Sequence, residues 1–298
     1  MPMIDPASPQ PGQPSLWRRV WEFPLVAMIV ALGIVAAAIF VSGTVFGRLG
    51  KTLDQNSAVV IQGVAATLMV VLAMKYLVAR LGRQQHDDFP LPPALMDWAR
   101  GLAIGSGLMA LAVGIAALCG VYRITGWGNS QDLVLILFSA GLVAGFVEES
   151  IFRGVLFRWI EEMLGSWGAL AITSLLFGFA HWFNDNATLF SSLAIALEAG
   201  IMLGACYMLT RSLWLAVGLH MGWNVTQGYV FDVPVSGHPV DGLVTAQFSG
   251  PDWLSGGAFG LEASVIGLGV ATLAGLVLLR KAIRAGQIRP PMWAKPEA

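Results

Sequence analysis

Residues 133–157 read LVLILFSAGLVAGFVEESIFRGVLF, and this apolar run decides the fold class. At a rise of about 1.5 Å per residue, a helix of about 20 apolar residues crosses a hydrocarbon core of about 30 Å. The run also contains two adjacent glutamates and an arginine, and one such charge costs on the order of 3 kcal/mol on membrane-insertion scales. The run therefore predicts a transmembrane helix whose charged residues must be paired or functional.

Similar apolar runs lie on both sides of this one, at residues 22–46, 57–79, 99–121, 167–185, 187–209, 213–230 and 258–279. The whole chain has 298 residues, of which 56% are hydrophobic and 12% are charged, about half the charged fraction of an average soluble domain. We predict an all-α polytopic transmembrane helical bundle of about eight helices. Only Asn184, Asp185 and Asn186 separate the fifth and sixth runs, so a re-entrant hairpin is the alternative there.

The flanking segments differ from the apolar runs in composition. The first residues are rich in Pro, Gln and Ser, which is typical of disordered chain. We therefore expect a disordered cytoplasmic tail over residues 1–20, a transmembrane domain over 21–281 and a cytoplasmic tail over 282–298. Residues 231–257 contain no Lys or Arg and several Gly, Pro and Asp residues, which predicts a long external loop.

The net charge of -1 gives no sign of a nucleic-acid partner. The basic residues are nevertheless distributed unevenly between the two predicted sides of the membrane. The predicted inner side has Arg18, Arg19, Arg80, Arg83, Arg100, Arg153, Arg158, Arg211, Arg280, Lys281, Arg284, Arg289 and Lys295, whereas the outer side has Arg48, Lys51 and Arg123. Because cytoplasmic segments are enriched in Lys and Arg, this predicts a multi-pass membrane protein with both termini in the cytoplasm. We expect the membrane to be a bacterial cell membrane.

The charged group in residues 148–153 suggests chemistry. Glu149 and Arg153 are four residues apart and share a helical face, which favours an ion pair. Glu148 points about 100° away from that face, so it is the freer of the two carboxylates. Burial would raise its pKa toward the range of a general base. The alternative is a structural ion pair near the cytoplasmic interface.

Two histidines and an asparagine lie on later runs. His181 ends the sequence FGFAH, and His220 begins HMGWN, so that Asn224 is one helical turn after it. His220 and Asn224 could therefore donate to one developing oxyanion. His181 is expected at a different depth, near 20 Å from the start of its run against 6 to 15 Å for the other groups. Glu198 could line the same cavity or simply bond to a neighbouring helix.

The order EExxxR, FxxxH and HxxxN on successive hydrophobic helices resembles the CPBP family of intramembrane proteases, which includes CAAX prenyl proteases and bacteriocin-immunity-type proteins. The resemblance covers a catalytic core at residues 132–230 and implies that Glu148, with His181, activates a water. It also implies that His220 and Asn224 stabilise the oxyanion. A second account is a zinc site with Glu149, His181 and His220 as ligands, and the sequence leaves both accounts open.

The resemblance thus implies an intramembrane endopeptidase that cuts a membrane-associated peptide or protein from a cavity open toward the cytoplasm, with the lipid bilayer as its other partner. A prenylated CAAX-type substrate is one option. The main alternative is a non-proteolytic membrane adaptor or bacteriocin-immunity protein, in which the same polar groups hold helices together. A proton-relay transporter is a third reading, although the paired broken helices common in such proteins are not evident in the sequence.

Overall fold

The structure is a computed structural model that describes residues 15–294, and it confirms an all-α polytopic helical bundle. The helices are α1 (Leu16–Trp21), α2 (Pro24–Gly50), α3 (Gln55–Tyr76), α4 (Ala94–Leu118), α5 (133–164), α6 (166–180), α7 (Leu189–Thr210), α8 (Trp214–Val225), α9 (Asp252–Ser255) and α10 (Val265–Arg284). Two short strands, β1 (Tyr122–Trp127) and β2 (Val244–Phe248), complete the described elements.

Six helical segments among the described residues are long and apolar enough to cross a membrane. One of them, Leu133–Phe183, has 51 residues and contains both α5 and α6. Gly165 separates these two helices because its φ of 75° and ψ of 172° are not helical, a conformation that glycine adopts at little cost. The 12-residue α8 continues through a wider turn at Thr226–Val230. Each of the eight apolar runs therefore contains one main helix.

The N-terminal region differs in part from the expected disorder. A short helix, Leu16–Trp21, begins within the predicted tail of residues 1–20, and the Ser15 side chain accepts a hydrogen bond from the Arg18 backbone nitrogen. Trp17 and Trp21 stack with ring centroids 6.0 Å apart and are exposed, as is typical of a helix at the membrane interface. Residues 1–14 and 295–298 of the two predicted tails lie outside the described residues.

Glycines let α8 approach both α4 and α5. A Cβ atom on Gly218 or Gly222 would collide with the backbone of α4, and one on Gly145 of α5 would lie 2.8 Å from the Met221 side chain. Close backbone approach through small residues is a common way for membrane helices to associate. These contacts fix α8 next to α5, the helix that carries the two glutamates.

The segment between α8 and α10 folds onto the bundle. Its strand β2 pairs antiparallel with β1, which follows α4. The Asn184 side chain donates to the Ser236 carbonyl at 3.0 Å, and the Asn186 side chain donates to the Gly237 carbonyl at 3.1 Å. The predicted external loop therefore covers the turn between α6 and α7.

At the opposite end of α6 lies a buried polar cluster, the Asp88–Glu161 network, which consists of Asp88, Arg158, Glu161, Tyr207 and Arg211. The Asp88 carboxylate accepts from the Tyr207 hydroxyl at 2.7 Å and lies 3.5 Å from an Arg158 nitrogen. Glu161 accepts from Arg211 and, through its other oxygen, from the Ser166 hydroxyl. Burial raises the pKa of Asp88, and the Arg158 charge opposes that effect. Every carboxylate oxygen of this network has a partner.

Candidate active site

The ion pair expected from residues 148–153 is present in the interior of the bundle. An Arg153 nitrogen lies 2.9 Å from a Glu149 oxygen, and both side chains are 0% exposed. The second terminal nitrogen of Arg153 donates to the backbone carbonyls of Ala199 and Gly200 in α7 at 3.2 and 3.3 Å. The pair therefore ties α5 to α7 and is shielded from solvent by the surrounding helices.

Wider π-helical turns lie on both sides of Glu149, and the second stretch contains Arg153. They run over Ile136–Glu148 and Ser150–Phe157, so that Glu149 lies at their junction. Such turns alter the direction of side chains and often occur at functional sites. They are a local feature that the apolar pattern of the run does not reveal.

His220 of α8 meets the same carboxylate. Its Nδ1 lies 2.9 Å from the Glu149 oxygen that also accepts from Arg153. Because a carboxylate only accepts hydrogen bonds, Nδ1 carries the proton in this contact. The other ring nitrogen, Nε2, is left for the cavity that His220 lines. Glu149 thus fixes the orientation of the imidazole.

His181 lies at the end of α6 and shares a neighbour with His220. Its Nδ1 is 2.8 Å from the Phe177 carbonyl, so Nδ1 donates and Nε2 has a lone pair when the ring is neutral. The Phe177 ring lies 4.8 Å from the His181 ring and 6.1 Å from the His220 ring. The difference in depth expected from the sequence therefore does not keep the two histidines apart.

Asn224 is placed one turn after His220, as the HxxxN spacing predicts. Its side-chain nitrogen donates to the Ala140 carbonyl of α5 at 2.8 Å. An amide nitrogen has two hydrogens, so one remains after this contact. Asn224 lines the same cavity as His220.

Glu148 is close to this group but is not part of the cavity wall. It is near enough to His220 and Arg153 for their charges to interact. One Glu148 oxygen is buried and has no hydrogen-bond partner among residues 15–294, and the same holds for the second oxygen of Glu149. The site therefore contains carboxylate oxygens with unused acceptor capacity.

The cavity itself has a volume of about 40 Å³, enough for one ordered water. Its polar lining residues are His181, Glu198, His220, Asn224, Ser236 and Glu262. Ser236 lies in the predicted external loop of residues 231–257, and Glu262 lies just before α10. The cavity thus lies against a loop that the charge pattern predicts to be external, and an opening toward the cytoplasm stays a prediction.

The sequence pattern indicates Glu198 as a candidate but not Glu262. A single carboxylate at the edge of an apolar run, as in FGLEAS at residues 259–264, is a weak local signal. Only the long-range contact between the external segment and the bundle brings Glu262 to the cavity. The three motifs contain no residue that would have indicated it.

The proposed zinc ligands do not form a ligand set in this structure. Within the part of the chain that is described, no three His, Cys, Asp or Glu side chains are arranged to hold a metal ion. One Glu149 oxygen is engaged by Arg153 and by His220 Nδ1, and His181 Nδ1 is engaged by the Phe177 carbonyl. These contacts leave Nε2 of both histidines and the second Glu149 oxygen without a partner among residues 15–294, but the three side chains are not grouped as a ligand set. No step of the mechanism is therefore assigned to a metal, and a zinc requirement stays a prediction.

Comparison with known proteins gives one match. Residues 130–226, about a third of the chain, match the family model described as type II CAAX prenyl endopeptidase Rce1-like. The matched residues contain all three motifs, and the match confirms the resemblance to the CPBP proteases. It supports a CAAX-type intramembrane endopeptidase in general terms. No curated protein and no solved structure matches the chain.

Proposed function

With the Rce1-like match over residues 130–226 as the premise, we propose that this chain is an intramembrane endopeptidase that hydrolyses a peptide bond in a membrane-associated substrate. The observation that carries the proposal is that His181, from the second motif, and His220 and Asn224, from the third, line one cavity of the size of a water molecule. A prenylated CAAX-type peptide is the substrate that the family description suggests.

The proposed reaction begins with a water in this cavity. His181 Nε2 accepts a hydrogen bond from this water, and Glu148, which adjoins the cavity without lining it, turns toward the water and takes its proton while the water oxygen attacks the peptide carbonyl carbon. The carbonyl oxygen becomes an oxyanion, and the Asn224 amide and His220 Nε2–H donate to it. The C–N bond then breaks, and the leaving amine takes the proton that the water lost.

Glu149 and Arg153 act in this proposal as positioning residues. For His220 to donate from Nε2 while Nδ1 faces Glu149, both ring nitrogens must carry a proton. The Glu149 carboxylate at 2.9 Å stabilises that imidazolium form. Arg153 in turn fixes Glu149, so the oxyanion donor is held by two consecutive contacts.

The adaptor reading explains these residues as contacts between helices. Contacts of that kind need no unused acceptors, because an unsatisfied buried polar group costs about 1–3 kcal/mol. The oxygens of Glu148, Glu149 and Glu198 that have no partner among the described residues therefore favour the hydrolase proposal.

The test is peptide cleavage by the purified protein in lipid, with and without a chelator. We expect mass spectrometry to find cleavage at one bond of a membrane-anchored peptide, and a prenylated and an unprenylated version of that peptide decide whether the lipid is needed. Activity that disappears with chelator and returns with Zn²⁺ would support the zinc account, whereas an unchanged rate would support water activation by glutamate alone. A folded protein that cleaves neither peptide would contradict the proposal.

We also propose that both termini are cytoplasmic, because the predicted inner segments have most of the basic residues. Reporter fusions at Pro14 and Pro291 should both report the cytoplasm. Reporters on opposite sides of the membrane would rule out an even number of spans.

A further inference from the structure

Two carboxyl groups outside the three motifs line the cavity. Glu198 of α7 is 2% exposed, and Glu262, in the turn before α10, is 3% exposed. Neither forms an ion pair with a Lys or Arg among residues 15–294. Because a buried carboxylate without a cation is costly, this pair requires an explanation.

The polar atoms that these two carboxyl groups and their neighbours present to the cavity are mostly hydrogen-bond acceptors, with few donors. Glu262 accepts from the Ser236 backbone nitrogen. One Glu198 oxygen is buried and has no partner in the described part of the chain. His181, on the same cavity wall, has Nδ1 occupied by the Phe177 carbonyl, so its Nε2 is also an acceptor when the ring is neutral. The space between these groups suits a ligand that donates several hydrogen bonds.

The rest of the cavity wall is apolar. It consists of Phe177, Ile195, Met202, Leu203, Leu219 and Trp223, together with two alanines. An apolar wall that ends at two carboxyl groups matches an alkyl chain that ends in an ammonium group. The volume of about 40 Å³ accommodates a compact ammonium head, whereas the planar guanidinium of arginine is larger.

We propose that Glu198 and Glu262 form a binding site for a primary ammonium group, and that this site selects a lysine side chain next to the scissile bond. The choice of substrate rests on the proposed peptidase function, but the ammonium site does not. Because the cavity is shared with His220 and Asn224, a group bound there lies within about two residues of the reacting carbonyl, at about 3.5 Å of extended chain per residue.

Two other arrangements would balance the carboxyl groups without a ligand. The pair could share a proton, as adjacent carboxylates do, or a protonated His181 could supply the positive charge. In both cases the cavity would hold a structural water and would not prefer an ammonium ion over an uncharged group of the same size. That preference is therefore the quantity to measure.

The first experiment uses methylammonium, with methanol as the uncharged probe, on the purified wild-type protein. We expect methylammonium at saturating concentration to raise Tm by about 2–4 °C and methanol to have no comparable effect. Glu198→Gln and Glu262→Gln should each remove the shift. Glu162→Gln, which changes a partly exposed glutamate outside the cavity, is the matched control and should keep it. Equal shifts with both probes, or a shift that survives both cavity variants, would overturn the proposal.

The second experiment compares membrane-anchored peptides that differ only by lysine or norleucine at each position near the cleaved bond. We expect the wild-type kcat/KM to favour lysine by about 10-fold or more at one position. In Glu198→Gln and Glu262→Gln that ratio should fall toward 1, and because it is a ratio it does not depend on the folded fraction of the sample.

The two experiments separate the two proposals. A Tm shift specific to methylammonium, without cleavage of any peptide, would support the ammonium site and contradict the peptidase. Cleavage with a lysine to norleucine ratio near 1, and no specific Tm shift, would contradict the ammonium site and leave the peptidase intact.

Discussion

Two buried clusters of charge among residues 15–294 differ in how many of their carboxylate oxygens have a partner. In the Asp88–Glu161 network, both oxygens of Asp88 and both oxygens of Glu161 have a hydrogen-bond or ion-pair partner. In the candidate site, Glu148, Glu149 and Glu198 each have a buried oxygen without a partner among residues 15–294. The two clusters lie in the same bundle, so the difference does not come from burial alone.

This difference indicates different roles. A fully paired network holds elements together and has no acceptor left to bind a reactant. A cluster with unpartnered acceptors is less stable than it could be, and such a cost persists where a ligand or a reacting group satisfies it. Substitutions in the network should therefore reduce stability, whereas suitable substitutions in the site should reduce turnover.

The largest effect is expected for Glu148→Gln. Glutamine keeps the size of the side chain but cannot take a proton from water, so kcat should fall by about 10²–10⁴-fold. Tm should hold or rise, because a partly buried charge has been removed. Cleavage rate and Tm are measured on the same purified samples.

The control is the same substitution in the network, Glu161→Gln, which should lower Tm because Arg211 loses its ionic partner. Its kcat per folded molecule should match the wild type. A Glu148→Gln protein that cleaves at the wild-type rate would remove Glu148 from the mechanism.

Much of the site could be predicted because helical periodicity is local. The spacing of Glu149 and Arg153 predicts their ion pair, and the structure contains it. The HxxxN spacing likewise predicts that His220 and Asn224 are one helical turn apart, and both line the cavity. Eight apolar runs likewise indicated the helices, since run length against membrane thickness is a strong signal.

The remaining features depend on contacts between distant segments. The break at Gly165 separates α5 from α6 within a single 51-residue segment, and a lone glycine gives little warning of it. Ser236 and Glu262 reach the cavity because the segment between α8 and α10 folds back on the bundle. No sequence periodicity predicts this contact. The partners of the expected zinc ligands, Arg153 for Glu149 and the Phe177 carbonyl for His181, are likewise visible only in three dimensions, and the zinc site stays a prediction.

Arg153→Ala should produce the second largest effect. It tests how much the buried ion pair with Glu149 contributes to stability. It leaves Glu149 buried without its cation and breaks the bonds to α7, at a cost of about 3–5 kcal/mol in the free energy of unfolding. Thermal and denaturant unfolding measure this loss. Arg153→Lys, which keeps the charge, should recover part of it. An unchanged unfolding midpoint would show that the pair is solvated.

Asn224→Ala should have a smaller effect on turnover than Glu148→Gln. If Asn224 is one of two oxyanion donors, kcat should fall by about 10²–10³-fold with little change in KM. Loss of its bond to the Ala140 carbonyl should also cost about 1 kcal/mol of stability, which the Tm of the same sample reports. A rise in KM at constant kcat would instead indicate a role in substrate binding.

The smallest effect is expected for Tyr207→Phe, which removes the hydroxyl that donates to Asp88. Loss of this partner for a buried carboxylate should cost about 1–3 kcal/mol, and kcat should not change because the network lies outside the site. The pH dependence has a definite sign. Burial raises the pKa of Asp88, and the Tyr207 hydrogen bond opposes that rise, so the variant raises this pKa further. The penalty is therefore largest above the pKa of Asp88, where this carboxylate is ionised, and it shrinks as the pH falls and Asp88 is protonated in both proteins. Unfolding of both proteins across this pH range measures the difference, and a penalty that grows toward acid would contradict the assignment of Tyr207 as a stabiliser of the ionised carboxylate.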